Sequence, residues 1–590
     1  MRVHWVPSFV LVVSTLIGCA ASRPVERQPE EAPQHRFPPR EALLELATEE
    51  VSDVPPRIKR VMVDRWELAG PFPDKVATLP REAANRWEEL LAVQAKAKPG
   101  VLLATEDMHC VARESGRFYL AHGGWPTEDL EDFIHGRCGA AAYDVGTSWF
   151  TGEVPENVSD DELFRQWRPQ LEKMLAELPA GGNQAAGVWY GRKKGQVVFI
   201  AATSLRRVLL EGVSQIPDAS GNVRIRGELL VSTERMGALV NQGEFGFGRC
   251  EADPAIKLPR FSVTCTPAKT DTMAWLSIAV FPPGRFLGDG VVRVLLFPSG
   301  EAQKVYQRRP LEGQPAALTA NGVDNVKAFL GLVNQVRQRA GIAPLHLEGR
   351  QSEVAGRVAP HYFRALSGNA PTMVADTIAM GMQAGWDVEG AVLEGTFGSA
   401  WVGSTEDLRL LLTRVLEMPQ GRAALLDERS RALAVGLVSN SASGGVGTVY
   451  STYAFVDEQE FSRAEKQLIG RLNKARTQKG AASALWGEAP PGANARIAQM
   501  LGKGQEKPAA ALRYLLEETQ KSLNRPLQGW VMETSSLDEL TFPEPMLSAS
   551  PVHVVVSIAH YHPRGEPWSR YVVMFVVSDE PEGQMAALSR

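Results

Sequence analysis

Two histidines near the C-terminus, His560 and His562, have the spacing of metal ligands on a β-strand. They flank Tyr561, and alternate residues of a strand point to one face, so both imidazoles would share a side. Zn²⁺ takes three or four protein ligands, and His553 is out of phase with this pair. We therefore favour a solvated strand end over a metal site.

Other sequence motifs of catalysis and cofactor binding are missing. The glycine-rich run 243–248 lacks the spacing and the helix of a dinucleotide fingerprint, and we interpret it as strand and turn. There is no G-x-S-x-G elbow, H-E-x-x-H pair or phosphate loop. The acidic runs 159–162 and 405–407 are better explained as helix N-terminal caps. We predict neither a cofactor nor a bound metal.

Composition describes an ordinary globular body. The formal net charge is −5, the isoelectric point is about 6.1, and 44% of the residues are hydrophobic. No basic block suggests nucleic acid as a partner, and no basic amphipathic helix suggests peripheral membrane binding.

The N-terminus has the features of an export signal. Arg2 and His4 precede an apolar run, residues 9–16, that is far shorter than the ~20 residues of a membrane-spanning helix. The sequence Leu16-Ile17-Gly18-Cys19 resembles the lipobox of bacterial lipoproteins. This resemblance implies that residues 1–19 carry the signal and that lipid on Cys19 attaches the chain to a membrane. Ala20, with no Asp there, favours the outer membrane of a Gram-negative cell. An ordinary signal with a chance cysteine is the alternative.

The region after the lipobox is rich in proline and charge. It cannot bury a core, so we expect residues 20–45 to form an extended tether. Residues 46–82 have no clear role.

Four cysteines remain if Cys19 is lipidated. An even number in an oxidising compartment favours two disulfides. Pairing nearest neighbours, Cys110 with Cys138 and Cys250 with Cys265, keeps each bond within one predicted domain. Four buried free thiols are the alternative.

Two helical segments of the body share one pattern. Residues 326–341 have apolar residues at helical spacing. The same segment contains Asn334, Arg337 and Gly341. The segment 465–480 has the same three residue types at a constant offset, namely Asn473, Arg476 and Gly480. Residues 87–100 are a looser copy with Lys96 in place of the arginine. We therefore predict a threefold repeat.

Each predicted unit continues with further helices and closes on a strand pair. Capping boxes at Ser159–Glu162 and Ser462–Glu465 predict two of the helix starts. The units cover residues 83–204, 321–457 and 460–580, and short alternating strands over 205–312 predict a β-sandwich. The expected fold class is α/β, with three units and an inserted all-β domain.

The middle unit resembles a CAP domain, the fold of cysteine-rich secretory proteins. The residues of its first helix and of the turn after it carry the likeness: Leu332-Val333-Asn334, Arg337, Gly341, Pro344 and Leu345. Further matches are His361 on the next helix, the turn Met418–Arg422, Val435-Gly436-Leu437 and Tyr450 to Phe455. The resemblance implies α-β-α sandwich units, and it extends only weakly to the other two units.

The family's cavity is usually lined by two histidines and two acidic residues that can hold a divalent metal. Carried over by position, His361 survives, and the second histidine falls on Gly421. Glu394, or less favourably Glu389, takes the place of the loop glutamate. The His361 position falls on Phe118 in the first unit and near Gly504 in the third. One imidazole and one carboxylate do not make a closed Zn²⁺ site, so we favour a packed helix histidine.

Three classes of function remain. A non-enzymatic binding or scaffold lipoprotein, with an envelope protein or a lipid as ligand, fits best, because repeated units can diverge in their loops while keeping a core. A hydrolase or metal-dependent enzyme using His361 and Glu394 is one alternative. A purely structural envelope component is the other.

Overall fold

The structure of the chain is a computed structural model. It describes residues 4–6, 13–14, 37–49, 60–178, 183–243, 246–283, 288–308, 313–367, 369–403, 405–440, 445–457, 460–502, 507–523, 526–548, 550 and 552–579. Cys19 and the rest of the lipobox lie outside these ranges. Within them, every helix is too short or too polar to cross a membrane. The fold is mixed α/β.

The N-terminal part contributes edge strands and one helix, and the first two strands lie within the predicted signal, residues 1–19. Its elements are β1 (His4–Val6), β2 (Val13–Ser14), α1 (Arg40–Thr48), β3 (Arg60–Val61), β4 (Arg65–Glu67) and β5 (Lys75–Val76). Residues 40–45, the end of the predicted tether, are therefore helical. The reason is that Leu43 and Ala47, four residues apart on one helix face, are both buried.

The first α/β region covers residues 86–205. Its elements are α2 (Arg86–Ala97), β6 (Leu102–Ala104), α3 (Glu106–His122), β7 (Trp125–Pro126), α4 (Glu128–Arg137), β8 (Gly146–Glu153), α5 (Asp160–Ala176), β9 (Gln184–Lys193) and β10 (Gln196–Leu205). The sheet order is β1-β8-β10-β9-β6. Ser159 caps α5 as predicted, since its side chain accepts a hydrogen bond from the Glu162 amide at 3.2 Å.

Strands alone form the next region, within the part of 205–312 that the structure describes. They are β11 (Val208–Leu210), β12 (Val213–Ser214), β13 (Val223–Leu229), β14 (Arg235–Gln242), β15 (Gly246–Arg249), β16 (Glu251–Ala252), β17 (Arg260–Cys265), β18 (Ala274–Phe281), β19 (Gly288–Leu296) and β20 (Val305–Gln307). Two sheets, β11-β13-β17-β16 and β15-β14-β18-β19-β2, share one buried apolar cluster. Strands β4 and β5 pair with β20 and β12, so residues 65–76 belong to this region.

The structure contains two disulfides, Cys110–Cys138 and Cys250–Cys265. The first joins α3 to the end of α4. In the second, Cys250 lies between β15 and β16, where the chain passes from one sheet to the other, and Cys265 ends β17. The second bond therefore fixes this crossing to the neighbouring strand.

The middle α/β region has helices on both faces of a sheet. Its elements are α6 (Gly322–Arg339), β21 (His346–Leu347), α7 (Gly349–Leu366), α8 (Thr372–Ala384), β22 (Val392–Val402), α9 (Leu408–Glu417), α10 (Pro419–Leu425), β23 (Ser430–Asn440) and β24 (Gly445–Phe455). Along β23, Ala432 and Ala434 pack with α7 and α8, while Leu433 and Val435 pack with α6 and α9. This alternation gives the sheet two buried faces.

The last region repeats this plan with fewer helices. It has α11 (Phe461–Gln478), β25 (Leu485–Gly487), α12 (Ala493–Gly502), α13 (Pro508–Leu523), β26 (Gln528–Thr534), β27 (Val552–Tyr561) and β28 (Arg570–Asp579). Two 3₁₀ turns, Leu537–Glu539 and Glu544–Leu547, stand where the middle region has α9 and α10. Pro543 and Pro545 explain why the second turn, Glu544–Leu547, is short, because proline interrupts helical hydrogen bonding.

One strand order recurs in the three α/β sheets. The orders are β6-β9-β10-β8, β21-β23-β24-β22 and β25-β27-β28-β26. In each sheet the first strand pair is parallel and the other two are antiparallel.

Candidate functional site

His361 lies on α7, the helix that packs against the middle sheet, and its side chain is only 5% exposed. Its Nε2 is 3.0 Å from the backbone carbonyl oxygen of Glu49, just beyond the end of α1. A hydrogen bond at this distance requires Nε2 to donate its proton. This contact places the ring proton on Nε2 and leaves the lone pair of the neutral imidazole on Nδ1.

Glu394 lies on β22 and is also buried, but its described partner is different. Its Oε2 accepts from the Arg429 guanidinium at 3.0 Å, and the same guanidinium contacts Asp427. The sequence placed these residues in one cavity, but their described contacts are made to separate partners. Glu389, the weaker candidate, is exposed beside Arg350.

Gly421 takes the position of the second family histidine, and packing explains why it is glycine. A Cβ added there would lie 2.1 Å from the carbonyl oxygen of Val415 and 2.9 Å from the Tyr450 hydroxyl. Real Cβ atoms do not approach backbone that closely, so no side chain fits without rearrangement. Its neighbour Arg422 donates to the carbonyls of Leu416, Gly243 and Gly246, which joins this turn to the β region.

The described residues contain no group of three or more His, Cys, Asp or Glu arranged to hold a metal ion. His560 is on β27, with its ring 6.4 Å from that of Phe461, and His562 is exposed just beyond the strand. Because β27 ends at Tyr561, His560 lies on the strand and His562 lies beyond it.

The repeated Asn-Arg-Gly pattern has a structural role. The Arg337 guanidinium is fully buried and donates to the carbonyls of Ala343 (2.6 Å), Leu425 (2.6 Å), Asp427 (3.1 Å) and Ser430 (3.1 Å). Asn334 exchanges two hydrogen bonds with the backbone of Leu345, at 2.8 and 2.9 Å. We call these two residues the middle clamp.

The last region has an equivalent clamp. Arg476 donates to the carbonyls of Ala482 (2.7 Å), Met546 (2.6 Å) and Ser550 (2.7 Å), and the Asn473 side chain accepts from the Ala484 amide at 2.7 Å. Gly341 and Gly480 follow the two helices with φ of 73° and 76°, a conformation that favours glycine. The pattern therefore holds the turn after each first helix to the sheet.

A buried cluster of charges joins the first, β and middle regions, and the sequence did not reveal it. Asp132 on α4 contacts Arg293 on β19, at 2.7 Å, and Arg414 on α9. Burial alone would raise the pKa of Asp132, but the two guanidinium groups hold that pKa well below its ordinary value. We call these three residues the junction triad.

A second ion-pair group continues the contact. Arg60 contacts Glu128 at 2.9 Å and Glu131 at 2.7 Å. Glu128 in turn accepts from the Gly403 amide of the middle region at 2.7 Å. Charges on four separate chain segments therefore meet in this interface, and their spacing in sequence gave no signal.

Asp107 lines a small cavity of about 30 Å³ between the first region and the β region. Its side chain is 92% buried, and no hydrogen-bond partner is found for its Oδ1 atom. Burial raises the pKa of this carboxyl to about 6, because it penalises the charged form more than the neighbouring polar groups favour it. The cavity has room for about two water molecules.

No protein-family model matches the chain, and no curated protein matches it. Solved structures that are similar to it include the following two. A cysteine-rich secretory protein from Staphylococcus aureus is 11% identical, with 46% of this chain and 85% of that chain covered and a TM-score of 0.17. An extracellular protein containing an SCP domain from Bacillus anthracis is 14% identical, with 43% and 87% covered and a TM-score of 0.16. At these scores the likeness carries no argument about function.

Proposed function

We propose that this chain is an exported lipoprotein, lipidated at Cys19, that acts as a non-enzymatic binding or scaffold protein of the cell envelope. Its body would consist of three degenerate CAP-like units, residues 83–204, 321–457 and 460–580, with a β-sandwich at 205–312. The common strand order of the three α/β sheets supports this division. The shared clamps of the middle and last regions support it independently.

The incomplete set of family residues around His361 supports the non-enzymatic assignment. A general base or a metal ligand needs a free nitrogen within reach of the reacting group. His361 can offer only Nδ1, because its Nε2 donates to the Glu49 carbonyl. Glu394 is paired with Arg429, and Gly421 has no room for a second histidine. A single imidazole nitrogen is not a complete catalytic or metal-binding set.

The hydrolase and the purely structural component remain the alternatives. A hydrolase needs His361, whereas a binding protein needs a partner that is recovered reproducibly with it. A structural component needs neither His361 nor a specific partner, and its function depends only on how much of the protein is present and where it is located. Variants that keep the fold while changing His361 or Cys19 separate these cases.

Anchoring is tested by Cys19→Ala. The expected result is a precursor or a released soluble form, because the variant lacks the thiol that takes the lipid. The wild-type protein should partition into detergent, and immunoblotting of membrane and soluble fractions measures both. A Cys19→Ala protein that is processed and bound to the membrane like the wild type would overturn the lipoprotein assignment.

Catalysis is tested by His361→Ala, with Val354→Ala on the same helix as a control for lost packing. His361→Ala should cost about 1–3 kcal/mol of stability through packing and an unpaired carbonyl. We expect neither variant to change any detectable hydrolysis by more than its loss of stability explains. Loss of a hydrolytic activity in His361→Ala alone, with stability and membrane location intact, would favour the hydrolase.

A further inference from the structure

Helix α1 lies in a groove formed by α7 and α8 of the middle region. Leu43 is 2% exposed and packs in the same apolar cluster as Val358, Ile378 and Met382. Gly381 on α8 lies beneath it, and a Cβ there would come within 3.1 Å of the Leu43 side chain. The groove therefore has space for a leucine at this point, because Gly381 has no side chain.

Polar groups bind the segment at both ends. At the start, the Trp386 indole N–H donates to the Pro38 carbonyl at 3.1 Å, and Arg40 Nε donates to Asp387 at 2.9 Å. At the other end, His361 contacts the Glu49 carbonyl. Two of these three contacts are made to backbone, which any helix of the right length can offer. The third contact, from Arg40 to Asp387, favours a positively charged residue at the start of the bound helix.

Helix α1 gains little from its own sequence. It has nine residues, and its N-cap residue, Pro39, makes no side-chain capping hydrogen bond. Helices of this length are unstable in isolation, so most of the stability of α1 must come from the groove. An amphipathic peptide that folds in the groove of a binding partner shares this dependence.

We propose that the α7–α8 groove is a peptide-binding site, with α1 as its resident ligand, and that it takes partner helices with the same face. That face has a basic residue, a leucine three positions later and an alanine four positions after that, as in Arg40, Leu43 and Ala47. This inference rests on the proposed function and names the chemistry of the partner.

The test uses the mature full-length chain with Leu43→Asp, which disfavours the resident helix and empties the groove. A fluorescent synthetic peptide of residues 37–49 is the probe, and anisotropy measures its binding. We expect this chain to bind the peptide at least about tenfold more tightly than the wild type, in which α1 competes at high effective concentration. A chain with Glu45→Lys, an exposed position on α1, should behave like the wild type.

Two further variants test the contacts. The peptide with Leu43→Asp should not bind, and Asp387→Asn in the Leu43→Asp chain should weaken binding about threefold to tenfold and reduce its salt dependence. A Leu43→Asp chain that keeps its native circular dichroism and does not bind the peptide would overturn the proposal.

Self-association would also overturn it in favour of a second copy of this chain as the occupant. The sign would be a wild-type dimer in analytical ultracentrifugation that Leu43→Asp abolishes. The assay contains purified protein and no membrane. Failure to bind the peptide therefore leaves the anchored scaffold intact, and failure of the anchoring test leaves the groove intact.

Discussion

The middle clamp and the junction triad both bury arginine, but they satisfy the charge in different ways. In the clamp, Arg337 donates only to backbone carbonyls, and burial lowers its pKa. In the triad, burial would lower the pKa of Arg414, but Asp132 and Glu417 raise it. Carbonyl oxygens do not titrate, whereas a carboxylate does. The region's internal clamp is therefore insensitive to pH, while the contact between regions depends on an ionised group.

Removal of a clamp should have the largest effect. Arg337→Met removes the hydrogen bonds of a fully buried guanidinium to four carbonyls, and we expect it to cost about 4–5 kcal/mol. Arg476→Met should cost nearly as much, since it removes three equivalent bonds. Hydrogen exchange followed by mass spectrometry reads each region separately. The exposed residues Lys327 and Lys474, changed to Met, are the controls.

Loss of the triad carboxylate should follow in size. Asp132→Asn leaves two buried guanidinium groups without their shared anion, and we expect a cost of about 3–4 kcal/mol at neutral pH. The folded pKa of Asp132 lies below the unfolded value of about 3.9. Its stabilisation is thus complete above that value and is lost as the pH falls through the folded pKa. The difference between the wild type and Asp132→Asn in urea denaturation should shrink below about pH 4.

Asp107 sharpens the comparison because it is a buried carboxyl with a raised pKa. Its folded pKa of about 6 exceeds the unfolded value, so its ionisation opposes folding. Stability should fall between about pH 4 and 6 and then level off. Asp107→Asn should therefore stabilise the protein by about 2–3 kcal/mol at pH 7 and by little at pH 4. A loss of stability at pH 7 would mean that the carboxylate is bound by a ligand or ion in the cavity.

The asparagines of the clamps should show the smallest effect. Asn334→Ala removes two hydrogen bonds to Leu345, and Asn473→Ala removes the one described to Ala484. We expect costs of about 1–2 and about 1 kcal/mol. Equal losses at the two sites would show that the second bond of Asn334 adds nothing.

Local patterns in the sequence predicted local structure well. The Asn-Arg-Gly spacing identified two helices with the same backbone contacts, and Ser159 caps its helix as expected. The capping box at Ser462 was wrong. Helix α11 begins at Phe461, one residue earlier, so Ser462 lies inside the helix and cannot cap it.

The charged interface could not be predicted. Asp132, Arg293 and Arg414 come from regions far apart in the chain, and each looks like an ordinary surface charge in its own segment. The α7–α8 groove was missed for a related reason. The composition around α1 indicated a tether, and its two buried residues, Leu43 and Ala47, are too few to reveal an amphipathic helix. Local periodicity contains no information about which distant faces meet.

The pairing of β4 with β20 has a consequence for the order in which the chain can fold. Residues 65–67 hydrogen-bond with residues 305–307, and α1 packs on α7 at an even greater separation. During synthesis at about 5–20 residues per second, β4 would wait on the order of 10–50 s for its partner strand. Residues 40–67 therefore emerge well before the segments they pack against, and until those segments follow, their apolar residues stay exposed to aggregation.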